Sequence, residues 1–305
     1  MNISEILKKY TYSVNQAKFN IFNPTYRTEG IKYEEVMFEN EFFKVKLTGY
    51  KLSQLHRDIL DIALYEGDNS IEKIVKEPIV ARTFSLYHMQ KKLEQNKEIK
   101  QIIEDDKKRK KKYTNNNWLE RKIKELKRAT INIEIKLNNT KKTWLEFNII
   151  RVATMLNSGD NNPRNKKFLI AFTKEFLTFL ESDILIDYRN YLDDILKLKT
   201  GQAKALARYV ISFKNDFSES LESIMEKIGI GRNKFKNRKT FNEHRNRILS
   251  DLEELKKLNI EIIKIKKGEH LVRYKKLDNI DFFYNKKEKR IIPSSPAEFL
   301  LPYIY

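Results

Sequence analysis

Apolar residues recur at steps of three and four in the first half of the chain, which predicts amphipathic helices. A first helix is expected over LSQLHRDILDIALYEG, with an apolar face formed by Leu52, Leu55, Ile59, Ile62 and Ala63. A second is expected over TFSLYHMQKKLEQ and a third over WLERKIKELKRAT, separated by the charge run EDDKKRKKKYTNNN, which reads as a solvated loop. Apolar residues then alternate strictly from Ile131 to Leu137, which predicts a half-buried strand, and TWLEFNIIR returns as its partner.

The second half shows the same order of patterns. Helices are expected over TGQAKALARYVISFKND, SESLESIMEKIG and TFNEHRNRILSDLEELKKLN, with Ser220 as a cap of the second helix and Gly229 as its stop. The stretch IEIIKIKKGEHLVRYKK then predicts a hairpin that turns at Lys267–Gly268. Three helices followed by a two-stranded ribbon is the layout of a winged helix, whose third helix lies in the DNA major groove.

These patterns predict an α+β fold, mostly helical, with two tandem winged-helix domains. The expected boundaries are an N-terminal arm at 1–46, a first winged helix at 47–156, a linker at 157–167, a second winged helix at 168–290 and a C-terminal tail at 291–305. The linker is placed on NSGDNNPRNKK because turn-forming residues cluster there between periodic segments.

The charge balance indicates a polyanionic partner. Lys and Arg number 61 against 42 Asp and Glu, which gives a formal net charge of +19. Nucleic acid is favoured over a membrane, because the apolar runs are far shorter than a spanning helix and MNISEILKKY lacks the apolar core of a signal peptide. The chain has no cysteine, which excludes disulfides and thiolate metal sites and fits a cytoplasmic protein.

The third helix of the second half carries its charges in an unfavourable order. Between Arg232 and Arg247 there are seven cations and only Glu243 as an acid, whereas acidic residues follow from Asp251. Cations at the positive end of a helix dipole are destabilising unless a phosphate lies beside them. Arg reads guanine and Asn reads adenine in the major groove, so these residue types suit base contacts. The DNA-binding residues expected here are Arg232, Lys234, Lys236, Arg238, Lys239, Asn242, His244, Arg245 and Arg247.

Two further groups of cations are expected to contact phosphates, which position a protein without specifying sequence. The second hairpin offers Lys266, Lys267 and Arg273, and the third helix of the first half offers Arg121, Lys122, Lys124, Lys127 and Arg128. The six consecutive cations Lys107–Lys112 have no assigned purpose.

The motifs of common enzymes are absent or incomplete, and we expect no catalytic site, no cofactor and no metal. No P-loop occurs, and Gly229-Ile-Gly231 follows a helix, so it reads as a helix stop. The four histidines are scattered singly, and His56 reads as a surface or core-edge residue. His244-Arg-Asn-Arg247 with Tyr274 matches part of a tyrosine recombinase site, but Ala203 and Leu206 stand where that family needs Arg and Glu.

Three segments resemble plasmid replication initiators, the Rep proteins of the RepE, RepA and TrfA kind. They are LSQLHRDILDIALYEG, LIDYRNYLDDILKLKTGQAKALARYVISF, and LESIMEKIGIGRNKFKNRKTFNEHRNRILSDLEELKKLNI followed by the basic hairpin. The resemblance covers about Leu47 to Lys276. It implies tandem winged helices that bind direct repeats (iterons) at an origin, duplex opening, and recruitment of a host initiator and helicase. It also implies a dimer with the N-terminal half at its interface, and base reading by Lys239 to Arg247.

The sequence therefore predicts a sequence-specific double-stranded DNA-binding protein that initiates plasmid replication. A winged-helix transcriptional repressor is the alternative among binding proteins, and a recombinase or nicking enzyme is the alternative among enzymes.

Overall fold

The computed structural model describes residues 21–25, 32–39, 43–67, 81–109, 117–137, 141–156, 167–173, 175–176, 191–213, 215–266, 268–276, 284–285 and 290–291. Its α-helices are α1 (Gln54–Glu66), α2 (Leu86–Leu93), α3 (Lys97–Arg109), α4 (Asn117–Arg128), α5 (Leu192–Lys197), α6 (Gly201–Ile211), α7 (Leu221–Lys227), α8 (Arg238–Leu249) and α9 (Leu252–Lys257). Its strands are β1 (Lys32–Glu39), β2 (Phe43–Tyr50), β3 (Ala81–Ser85), β4 (Thr130–Leu137), β5 (Lys141–Asn148), β6 (Ile150–Leu156), β7 (Lys167–Phe172), β8 (Phe217–Ser220), β9 (Ile260–Lys266), β10 (Glu269–Tyr274), β11 (Tyr284–Asn285) and β12 (Arg290–Ile291). The chain is a mixed α+β protein.

The second half contains the expected helices and hairpin with two differences: the expected third helix is divided at Ser250–Asp251 into α8 and α9, and the start of the expected second helix is the strand β8. Thr200 caps α6 and Ser220 caps α7, each through a side-chain oxygen that accepts a backbone N–H three residues on. Gly229 ends the α7 region with a φ of 84°, a conformation that favours glycine. The strands β9 and β10 form the expected hairpin, and β8 adds to β10, which gives an antiparallel sheet in the order β8-β10-β9.

The first half repeats this arrangement of elements. A helix (α1) precedes a strand (β3) and a second helix (α2) that Ser85 caps, as α6, β8 and α7 follow one another in the second half. Two later strands complete an antiparallel sheet in the order β3-β7-β6, which is again first, third, second in chain order. The two halves therefore share a topology, although their sequences show no evident repeat.

A separate four-stranded antiparallel sheet, in the order β1-β2-β4-β5, is added to the first half. The predicted alternation from Ile131 to Leu137 is confirmed as β4, and its partner is β5. This hairpin belongs to the added sheet, however, since β4 also pairs with β2. The chain passes from this sheet to the three-stranded sheet at Ile149, between β5 and β6.

Three expectations about the organisation of the chain need correction: an arm, a loop and a linker. The expected arm at 1–46 contains β1 and the start of β2, and Ile21 and Phe22 are buried in the core, because their apolar side chains pack against the rest of the first half. The expected loop over EDDKKRKKKYTNNN begins as the last turns of α3, since Ile99 and Ile103 bury one face of that helix. Lys110–Lys112 lie outside the described residues.

The third correction concerns the linker expected at 157–167. Residues 157–166 lie outside the described residues, but β6 and β7 on either side pair with each other and β7 also pairs with β3. The first half thus extends at least to Phe172. Phe168, Ile170, Ala171 and Phe172 are all buried. The sequence FLIAF is therefore continuously apolar and lacks the alternation of apolar and polar residues that predicts a strand. The expected tail at 291–305 lies outside the described residues apart from Ile291.

The two halves meet at a buried ionic cluster between α1 and α6. Lys204 Nζ lies 2.5 Å from Asp58 Oδ2, and Arg208 Nη2 lies 2.6 Å from Asp58 Oδ1 and 2.8 Å from Asp61 Oδ2. Arg208 Nη1 also donates to Gln54 Oε1 at 2.6 Å. All five side chains are buried, and Arg57 at the edge of the set also pairs with Asp61 at 2.8 Å, so three cations meet two carboxylates there. We call this set the ionic joint.

The apolar residues around the joint form one continuous core. Leu55 and Ile59 of α1 and Leu206 and Val210 of α6 belong to the same cluster of buried side chains. A further contact across the halves runs from Asn96, whose Nδ2 donates to the carbonyl oxygen of Leu198 at 2.5 Å. The described parts of the two halves are therefore packed together.

Candidate nucleic-acid interface

The helix α8 is fixed at both ends by side-chain contacts. Asn237 Oδ1 accepts the backbone N–H of Lys239 at 2.7 Å, which caps the start of the helix. At the far end Asp251 accepts the N–H groups of Lys199 and Thr200 at 2.9 and 3.0 Å, which ties the end of α8 to the start of α6. Phe241 and Ile248 are buried beneath the helix. The orientation of α8 is thus set by α6 and the core.

The opposite face of α8 is turned to solvent. Asn242 and Glu243 lie three and four residues after Lys239, and Asn246 lies four and three residues after them, which places the four side chains on one face. Lys239, Glu243 and Asn246 are exposed and Asn242 is half-buried. Asn246 was not among the expected DNA-binding residues, although its spacing from Asn242 places it on the same face. This face presents the amide and ammonium groups that suit contacts to base edges.

Cations crowd the start of this helix and the segment before it. Arg232, Lys234, Lys236, Arg238 and Lys239 are all exposed, and we call these five residues the cation patch. Arg232 begins a short 3-10 helix (Arg232–Lys234) and donates from Nη1 to the carbonyl oxygen of Phe235 at 2.6 Å.

The positive charge of the cation patch is not balanced by nearby acidic side chains of the described residues. Within the described part of the chain, Lys234, Lys236, Arg238 and Lys239 have no acidic side chain within ion-pair distance. Their positive charges also lie at the positive end of the α8 dipole. An external anion would relieve both unfavourable interactions.

His244 lies on the flank of α8, against the protein. Its ring stacks on Phe235 with ring centroids 4.8 Å apart, and its Nδ1 lies 2.9 Å from Gln202 Nε2. Burial lowers the pKa of His244, and the nearby charge of Arg247 lowers it further. These contacts give His244 an internal role, in which it joins α8 to α6 and to the segment before the helix.

The two arginines expected to read bases also make internal contacts. Arg245 Nη1 donates to the carbonyl oxygen of Gly268 at 2.8 Å, and its side chain is 17% exposed. Arg247 is more exposed and lies 3.7 Å from Glu98 Oε1 of α3, in the first half. Arg245 is therefore largely enclosed by the protein, whereas Arg247 stays exposed on the side of α8 that lies near α3.

The hairpin β9–β10 extends this surface. Gly268 has a φ of 83°, which favours glycine at the turn, and Arg245 holds that turn against α8. Lys264, Lys266 and Arg273 are exposed on the hairpin, and Lys266 is paired with Glu269 at 3.1 Å. Lys267 lies outside the described residues.

The cations of α4 are arranged differently from those of α8. Arg121 pairs with Asp106 at 2.6 Å, Lys122 with Glu125 at 2.9 Å and Lys124 with Glu120 at 4.0 Å. Lys127 and Arg128 are exposed, and Arg128 Nη1 donates to the hydroxyl of Tyr50 at 3.2 Å. Three of the five expected phosphate contacts in the first half are thus neutralised within the protein.

The recombinase alternative finds no support in the geometry. Tyr274 is 1% exposed and pairs through β10 with Phe217 and Ile260, so its hydroxyl has no access to a phosphate. Ser53, His56 and Glu125 form a Ser–His–Glu set, with Ser53 Oγ 3.0 Å from His56 Nδ1 and His56 Nε2 2.9 Å from Glu125 Oε2. Ser53 and His56 are fully buried, however, and the set closes the start of α1.

Metal-binding clusters and membrane-spanning helices are absent among the residues that the structure describes. No group of His, Asp and Glu side chains there is arranged to hold a metal ion. None of the helices among them has the length and apolar character to cross a bilayer.

The comparison with solved structures shows a likeness of fold. The chain is similar to a crystal structure of domains 2 and 3 of RctB, with a TM-score of 0.52 and 10% sequence identity. The alignment covers 86% of this chain and 98% of the RctB chain. No protein-family profile matches the chain, and no curated protein matches its sequence. The likeness at this identity concerns the fold.

Proposed function

We propose that this chain is a sequence-specific double-stranded DNA-binding protein that initiates plasmid replication. The observation that carries the proposal is the cation patch at the start of α8. Those side chains are exposed and lack acidic partners among the described residues, while the equivalent charges on α4 are largely paired. A phosphate backbone supplies the missing counter-charge and the anion that a helix start favours.

In this proposal each half is a winged helix. The order of helix, strand, three helices and hairpin in the second half, with the sheet order β8-β10-β9, supports that assignment, and the sheet order β3-β7-β6 repeats it in the first half. The helix α8 enters the major groove, and Lys239, Asn242 and Asn246 contact base edges. The hairpin lies along the adjacent backbone and minor groove.

A role in replication is supported by the fold shared with RctB, a replication initiator. The sequence resemblance to plasmid initiators extends the proposal to direct repeats at an origin, to duplex opening, and to recruitment of a host initiator and helicase. The same proposal holds that the chain forms a dimer and acts without a catalytic site, a metal or a cofactor.

Selection of duplexes from a random pool by the purified full-length chain tests this function. We expect one motif to be enriched, and we expect several copies of it as direct repeats in the replicon that carries the gene. Enrichment of no motif would contradict sequence-specific binding. A motif found only once, at a promoter, would contradict the initiator role and favour a repressor.

A further inference from the structure

Ile265 is an apolar side chain exposed at the tip of the β9–β10 hairpin. Its exposed fraction is 60%, and Val152 at 37% is the other exposed large apolar residue in the described part of the chain. Isolated exposed apolar residues are common on protein surfaces, so exposure alone assigns no role. The local backbone and the neighbouring charges supply the further evidence.

A β-bulge sets the direction of Ile265. Glu269 pairs with Lys266 and His270 pairs with Lys264, so Ile265 has no residue opposite it in β10. A bulge of this kind adds one residue to a strand and re-aims its side chain. The two ends of β9 differ accordingly, since Ile260 is fully buried while Lys264, Ile265 and Lys266 are exposed.

The tip of the hairpin is held on the same body as α8. Arg245 of α8 donates to the carbonyl oxygen of Gly268 at 2.8 Å, directly beyond the bulge. Ile265 therefore keeps a fixed position relative to the exposed face of α8.

The residues around Ile265 indicate which kind of partner this side chain would contact. Lys264 and Lys266 flank it along the strand, and both are exposed. Two lysines beside an apolar residue match a DNA minor groove, where phosphates line both edges and the stacked base pairs between them are apolar. Lys266 is paired with Glu269 at 3.1 Å, whereas no ion pair of Lys264 occurs among the described residues. An apolar protein surface would have to bury the ammonium group of Lys264, which is costly without an acidic partner.

We propose that Ile265 inserts as a wedge between two base pairs from the minor groove while Lys264 and Lys266 contact the phosphates on either side. The wedge partly unstacks that step and bends the duplex toward the major groove. The proposal rests on the proposed DNA-binding function. It adds a residue that distorts DNA at a fixed distance from the bases that α8 reads.

The test uses the duplex motif selected by the full-length chain, with the fluorescent base 2-aminopurine placed at each position in turn. We expect the wild-type chain to raise the fluorescence severalfold at one step beside the α8 contact region. Ile265→Ser should abolish that rise and weaken binding about tenfold, whereas Ile265→Leu should retain most of both effects. Val152→Ser on β6 is the matched control and should change neither.

The outcomes separate this inference from the proposed function. Failure to select any motif would refute DNA reading itself and remove the basis for the wedge. A wild-type complex with no unstacked step, or an unstacked step that persists in Ile265→Ser, would overturn the wedge while leaving α8 as the reader. Altered self-association of Ile265→Ser with unchanged DNA fluorescence would assign Ile265 to a protein interface instead and would also overturn it.

Discussion

At the residue scale, the neighbours of His56 hold its ring in one protonation state. Its Nδ1 accepts the backbone N–H of Ser53 at 3.1 Å, so the proton resides on Nε2, which donates to Glu125 Oε2 at 2.9 Å. Burial lowers the pKa of His56, and the charge of Lys122 adds to that effect, although the hydrogen bond to Glu125 opposes it. Protonation of Nδ1 would break the contact that closes the start of α1.

This geometry predicts a loss of stability in acid. Because the folded pKa of His56 is lowered, the unfolded chain takes up a proton below about pH 6.5 while the folded chain does not. The free energy of unfolding should therefore fall as the pH drops from about 7 to 5, by at most about 1.4 kcal/mol per pH unit for this group. Urea unfolding across this range measures the effect.

The control is His56→Gln, whose amide can accept from Ser53 and donate to Glu125 but does not titrate in this range. The variant should show a smaller fall in stability with acid, and His244 and His270, whose pKa values burial also lowers, should account for part of what remains. An identical pH dependence in the variant and the wild type would contradict the assigned role of His56.

The sequence does not reveal the role of a residue whose partner lies far along the chain. Ser220 and Gly229 were predicted correctly, because a cap and a stop depend on residues within one turn. His56 was expected at the surface or core edge and is fully buried, because its partner Glu125 lies 69 positions further along the chain. Arg245 likewise contacts Gly268, 23 positions away.

At the scale of the elements, removing two cations from the α8 region and removing two from α4 should affect the salt dependence of DNA binding differently. Removing Lys236 and Lys239 together should reduce the slope of log affinity against log salt by about 1.8, since each lost phosphate contact removes about 0.9. Removing Arg121 and Lys124 together should leave the slope nearly unchanged, because both are paired with acids in the first half. Titration of the selected duplex at several salt concentrations compares the two double alanine variants. Equal losses of slope would contradict the distinction between the helices.

The contact between Arg245 and the hairpin predicts a second effect. Arg245→Ala removes the donor to Gly268, so the amides of β9 and β10 near the turn should exchange with solvent faster. Binding should weaken while the preferred bases stay the same, because the exposed face of α8 is intact. A changed base preference would show that Arg245 itself reads DNA.

Local patterns predict most helices and the hairpin of the second half, as well as α1, α4 and the β4–β5 hairpin of the first half. The helices α7 and α8 bury one face each, so their periods are clear in the sequence. The strand β7 is buried on both faces, and β2 pairs not only with β1 but also with β4, which lies more than 80 positions later. Such pairing depends on tertiary contacts that a local pattern does not encode.

At the scale of the whole molecule, the ionic joint couples the two halves. Asp58 accepts from both Lys204 and Arg208, so a single carboxylate on α1 connects to two cations on α6. Because α6 also carries the contacts from Gln202 to His244 and from Thr200 to Asp251, the joint supports the helix beneath α8. The first half thereby contributes to the position of α8 across a fully buried contact.

Asp58→Asn should destabilise the protein by about 3–5 kcal/mol, because it leaves Lys204 buried without its carboxylate partner. Glu253→Gln is the control, since the pair of Glu253 with Lys256 is exposed and contributes at most about 1 kcal/mol. Chemical unfolding monitored by circular dichroism compares the two variants. A loss below about 1 kcal/mol in Asp58→Asn would contradict the buried joint.

The central claim is that the exposed face of α8 reads the sequence of a DNA duplex. Duplex selection with Asn242→Ala, run beside the wild type and beside Lys124→Ala, tests it most directly. We predict that Asn242→Ala recovers the wild-type motif with one base position relaxed, at a cost of about 1–3 kcal/mol for the preferred base, and that Lys124→Ala recovers the motif unchanged. An unchanged motif from Asn242→Ala and from the corresponding variants of Lys239 and Asn246 would contradict the claim.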